Sequence, residues 1–163
     1  MTLLVQYTLI FASVLALVAL GGCFSEHSGV INIGLEGIMV MGALGGALAM
    51  KFIPASTPGI VLFILIVLTS ALVGMVFSLF LGVAAIHFNA DQTLVGTALN
   101  LMGTAAAVVI VRAINVAENP DNVSSTIVYR QAKQVFLVKI GDFEFNWFML
   151  LVVLAIIASH VVL

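Results

Sequence analysis

Charge is what this sequence has least of. Of its 163 residues only 7% are Asp, Glu, Lys or Arg, where a soluble domain carries about a quarter. No basic residue precedes Lys51, and the few that follow form no stripe able to neutralise a phosphate backbone, which excludes nucleic acid as a partner. Cysteine occurs once, at Cys23, so neither an intramolecular disulfide nor a cysteine zinc site can form. His27, His87 and His160 stand far apart with no second ligand at metal spacing, so no metal and no cofactor is expected. Nucleophile elbow, phosphate loop and paired carboxylates are all missing, and the chain does not read as an enzyme.

What fills the space is apolar. The residues are 63% hydrophobic and the mean hydropathy is +1.31. A helix needs about 20 apolar residues to cross a bilayer, because its backbone groups must be satisfied within the segment. Five windows qualify, at about 3–24, 30–50, 59–86, 94–114 and 147–163, and they define an all-α, polytopic transmembrane helix bundle in a single domain, 1–163. The last window opens on Trp147 and stops without a closing polar anchor, which leads us to expect the N-terminal part of a longer, truncated permease-like chain.

Connections are short except for residues 115–146. There "NPDN" reads as a turn, and "STIVYRQAKQVFLVKIGDFEF" as two strands about a central polar stretch, a small extramembrane β-hairpin. Arg130, Lys133 and Lys139 would place this loop in the cytoplasm by the positive-inside rule. Ahead of the fourth window, Asn89 and Asp91 are candidate helix caps. The run ending "LGGC" is similar to a lipoprotein cleavage box, but secretory signals open with positive charge and this one has none.

Membrane helices associate through small residues that let backbones approach. Ser70, Gly74, Ser78 and Gly82 recur every fourth residue, and Gly42 and Gly46 form a GxxxG pair. The fourth window repeats the pattern with polarity added, as Gln92, Gly96, Asn100, Gly103 and Ala107 fall on one helical stripe. Asn100 then lies at mid-depth, where an amide faces a bundle interior or a water-filled cavity. The oddest stretch is "FSEHSGVINIGLEGIMVMG", residues 24–42. Read as helix, it sets Asn32 and Glu36 four apart on one face turned to the bundle interior, and an ionised Glu at the bilayer centre costs about 2.5 to 3.5 kcal/mol. Gly29, Gly34 and Gly37 weaken that helix enough for a broken entry to serve instead. Asn32, Glu36, Gln92 and Asn100 are therefore candidates for a solute path or its immediate support.

Two motifs carry a resemblance. "FSEHSGVINIGLEGIMVMGA" is similar to the "SERSGVxNIGLEGxM" segment of bacterial ABC importer permeases for nucleosides and simple sugars, and "ADQTLVGTALNL" at 90–101 to their "ADQxxxGxAxNL". His27 stands where the family often has Arg. The related branched-chain amino acid permeases have a version of the first motif closer to "GxxNxxxG". The resemblance implies a type II importer permease in the bacterial inner membrane, working with a separate ABC ATPase subunit, a second permease subunit and an extracytoplasmic solute-binding lipoprotein. It also implies that the loop 115–146 lies outside, against the positive-inside count. A non-transporting membrane assembly protein is the reading from another class.

Overall fold

The computed structural model describes residues 2–54, 56–127, 137–140, 143–146 and 148–162. Arg130, Lys133 and Trp147 lie outside the described residues. The chain divides into two compact units, one of residues 1–30 with 132–163 and one of residues 31–131.

The first unit holds helix α1 (Thr2–His27), strands β1 (Leu137–Ile140) and β2 (Phe143–Asn146), and helix α5 (Phe148–Val162). Helix α1 is apolar along its length and ends where Gly29 takes φ +82°. The amide of Val30 then reaches back five residues to the carbonyl of Ser25 at 3.3 Å, a left-handed glycine termination of the Schellman kind. The two strands pair antiparallel with Leu137 opposite Asn146 and Ile140 opposite Phe143. They fall within, and one residue beyond, the stretch where the sequence suggests a hairpin, of which residues 128–136 lie outside the described residues. Helix α1 packs against α5 and β2. At 15 residues, α5 is shorter than the roughly 20 of a full span.

The second unit is a bundle of three helices, α2 (Leu35–Phe52), α3 (Gly59–Gly82) and α4 (Gln92–Glu118). Pro58 starts α3, and its last turn widens into a π-helix over Val83–His87. Asn89 follows at φ +49°, one of the few residue types that tolerate this conformation, and Asp91 caps α4 by accepting from the amides of Thr93 at 2.8 Å and Leu94 at 3.2 Å. Of the two candidate caps, Asp91 does the capping and Asn89 makes the turn. Among the described residues, α1, α2, α3 with its π-turn, and α4 are long and apolar enough to cross a membrane. Together with the composition they make this a multi-pass helical membrane protein.

Helix α2 lies between the other two. Its Gly42 and Gly46 face α3, where an added Cβ would lie 3.3 Å from the Ser70 carbonyl and 3.4 Å from Ile66 Cγ2 respectively. Gly74 meets Ile38 from the other side, whereas among the described residues nothing stands within 4 Å of a Cβ at Gly82. The order of these contacts makes α2 and α3 antiparallel. Helix α4 completes the bundle through a small apolar cluster of Phe77, Leu81 and Leu99, backed by Ile38, Met41 and Val95. Most other large side chains of α3 point outward, from Ile60 and Leu68 to Leu72 and Met75, as lipid contact requires.

Candidate functional site

The polar residues converge where α2 begins. Residues 30–32 have no regular structure and 33–34 form a turn, so α2 starts at Leu35, later than the apolar run suggests. The expectation that Asn32 and Glu36 share one helical face is therefore corrected, because Asn32 precedes the helix and Glu36 lies exposed in its first turn. The physical cause lies on α4. The amide of Ile31 donates to Gln92 Oε1 at 2.9 Å, and Asn100 Nδ2 donates to the Ile33 carbonyl at 2.9 Å. These partners take the place of helical ones, and the segment stays out of the helix.

Asn100 does a second thing with its other end. A helix leaves its first amides without intrahelical partners, and Gly34, at the N-cap of α2, has no side chain to satisfy them. Asn100 Oδ1 accepts from the amide of Gly37 at 2.8 Å. One side chain thus caps α2 from a neighbouring helix while holding the segment before it.

Glycine makes that reach possible. An added Cβ on Gly37 would lie 2.5 Å from the Leu99 carbonyl oxygen and 2.9 Å from Asn100 Cα; one on Gly103 would lie 2.9 Å from Gly37 Cα. Gly96 meets the amide nitrogen of Gly34 at 2.9 Å by the same measure. The obstacles are backbone atoms, which cannot move aside as the end of a flexible side chain can. At the far end of the pair, Lys51 Nζ stands 2.9 Å from Glu118 Oε2, so α2 and α4 run parallel and touch along their length.

The four candidates are thus distributed as follows. Gln92 and Asn100 hold the segment, Asn32 sits within it between their two contacts, and Glu36 stands one residue from the amide that Asn100 caps. Asn32 Oδ1 is buried without a hydrogen-bond partner among the described residues, whereas the Glu36 side chain is open. No three His, Cys, Asp or Glu side chains gather to hold a metal among the described residues.

Asn115 was not singled out by sequence reasoning. It is 3% exposed, and its Nδ2 donates to the carbonyls of Ser124 and Thr126, each at 2.9 Å, folding the start of the long loop back onto α4. Its only signal in the sequence is an amide near the end of an apolar run.

Residues 4–163 match the family described as branched-chain amino acid transport system / permease component. The chain belongs to that family. A guanosine ABC transporter permease protein of Bacillus subtilis is 42% identical over 118 residues, covering 70% of this chain and 35% of that protein. A nucleoside ABC transporter permease protein of Lactococcus lactis is 36% identical over 110 residues, 68% of this chain and 34% of that protein. The chain therefore spans about a third of the length of these curated relatives. No solved structure matches it.

Proposed function

We propose that this chain forms part of the solute path of an ATP-driven ABC importer for nucleosides or related simple sugars. The observation that supports it is the irregular entry to α2, held on α4 by Gln92 and Asn100. Irregular backbone at membrane depth is tolerated where protein buries it or where it lines a water-filled cavity, and broken helices in transporters put free backbone and polar side chains beside the solute. Asn32 and Glu36 lie on such an entry. Gln92 and Asn100 are its immediate support, and Gly42, Gly46, Ser70, Gly74, Ser78, Gly96 and Gly103 serve helix packing, whereas Gly82, expected with them, has no described neighbour within 4 Å of an added Cβ. The names of the two relatives favour a nucleoside as solute.

In the assembled transporter a second permease subunit would close the path, an extracytoplasmic lipoprotein would deliver solute, and a separate ATPase subunit would drive the cycle in the bacterial inner membrane. The strands β1 and β2 would stand outside the membrane on the side of the binding protein.

The test is Glu36→Gln in the complete permease. The expected result is reduced guanosine uptake at unchanged expression; uptake at the wild-type rate would contradict a role for Glu36 in the path. The family's own description supports a second reading, a branched-chain amino acid as solute. Uptake of leucine in place of guanosine by the wild-type complex would select it.

A further inference from the structure

The outer surface of helix α4 is largely apolar, Leu94, Leu101 and Val108 included, and is broken by two threonines. On one side, Met102 and Val109 are 45% and 65% exposed and wholly apolar. On the other, Thr97 and Thr104 are exposed and bracket Asn100 at helical spacing. The two sides differ in where they point within the unit. Leu99 turns toward α3, joining Phe77 and Leu81, and Asn100 turns toward α2. Thr97 and Thr104 continue around α4 past Asn100, so they lie along the α2–α4 seam on the side away from α3.

Helix α2 brings its charge to the same side. Gly37 faces α4 and Ile38 faces α3, and successive residues turn by about 100° around a helix. Glu36 therefore projects from the other side of Gly37, away from α3 and toward the threonine side of the seam. Ala43, also exposed, continues that wall with little bulk. Two helices thus set a carboxylate and two hydroxyls on one side of the α2–α4 seam, next to Asn100.

The hydrogen bonds restrict what this side of the seam can recognise. Thr97 Oγ1 donates to the Thr93 carbonyl at 2.8 Å, and Thr104 Oγ1 to the Asn100 carbonyl at 2.9 Å. Each hydroxyl has spent its only hydrogen on its own helix and presents lone pairs outward. An ionised Glu36 is likewise acceptor-only. We infer that Thr97 and Thr104, with Glu36, form an acceptor-lined face that contacts the solute and selects neutral molecules rich in O–H and N–H donors. Ribose hydroxyls and base amines fit it. A phosphorylated nucleoside does not, because it would bring negative charge to a carboxylate and acceptors to acceptors.

This inference rests on the proposed function, and one experiment separates the two. In the complete permease with Cys23 and any further cysteine replaced by serine, single variants Thr97→Cys, Thr104→Cys, Met102→Cys and Val109→Cys are treated with a membrane-impermeant thiol reagent, with and without guanosine. Labelling at 97 and 104, at least tenfold slower at 102 and 109, and slowed by guanosine but not by guanosine monophosphate, is the expected result. Equal reactivity on the two sides, or none at 97 and 104, would overturn the assignment even if the complex imports guanosine normally. Thr97→Val and Thr104→Val add a readout that mere packing would leave alone: KM for guanosine should rise several-fold with the amount of folded permease unchanged, and an unchanged KM would also overturn it. A wild-type complex that fails to import guanosine, yet keeps the labelling asymmetry without guanosine protection, would instead sink the nucleoside reading and with it the choice of solute.

Discussion

The two seams of α2 are built from the same kind of residue and held by different forces. Toward α3, glycines and Ser70 let the helices approach so that aliphatic side chains fill the gap; at Gly45, an added Cβ would meet Val73 Cγ2 at 2.8 Å. Toward α4, glycines bring backbone against backbone, and amide side chains bond across the contact. Lipid is as apolar as leucine, so neither seam gains from a hydrophobic driving force; packing and hydrogen bonds must do the holding. The difference teaches that small-residue stripes in this chain serve two purposes, close packing on one side of α2 and a fixed irregular entry on the other.

The comparison is broken most severely at Gly37. Gly37→Ala puts a methyl group against the Leu99 carbonyl and Asn100 Cα, which are backbone and cannot yield. The complete permease should lose most of its folded yield, read by fluorescence-detected size exclusion. Asn100→Leu comes next. It removes the bonds to Ile33 and Gly37, and a cost of about 1–2 kcal/mol should lower the apparent Tm and abolish uptake. Asn100→Asp keeps the acceptor for Gly37 but not the donor to Ile33, so intermediate thermal stability is expected.

Gly45→Ala tests the other seam: an added Cβ meets Val73 Cγ2 at 2.8 Å and Cβ at 2.9 Å, with the Thr69 carbonyl at 3.1 Å, so the loss should be smaller than at Gly37 and only partly restored by adding Val73→Ala. The Lys51–Glu118 pair should matter little. Glu118 is 58% exposed, and an exposed pair contributes about 1 kcal/mol or less, so Glu118→Gln should shift Tm slightly and only at low salt. At the bottom of the scale, Gly82→Ala meets nothing and should leave stability level or slightly raised.

Four of the five expected spans were legible in the sequence because bilayer thickness imposes a length that composition alone can satisfy. The start of α2 was not. The stretch 30–34 is apolar enough to belong to a span, and what keeps it out of the helix is a pair of amides some sixty positions later, at Gln92 and Asn100. Spacing could set Asn100 on the glycine stripe of α4, yet only the folded contact shows that its two ends serve different parts of the α2 entry. The reading of Asn32 and Glu36 as helical neighbours failed for the same reason: an i, i+4 argument assumes the helix it is meant to describe. Asn115 escaped notice because its partners are loop carbonyls, which carry no side-chain signature.

Amide hydrogen exchange across residues 30–37, compared between wild-type permease and Asn100→Leu, tests the central claim most directly. If Asn100 caps α2 and holds the segment before it, the wild type should show slow exchange at Gly37, and the variant should lose that protection together with that of Ile31, while α3 stays unchanged. Equal protection in the two proteins would mean that the entry to α2 stands without Asn100, contradicting the role assigned to that side chain.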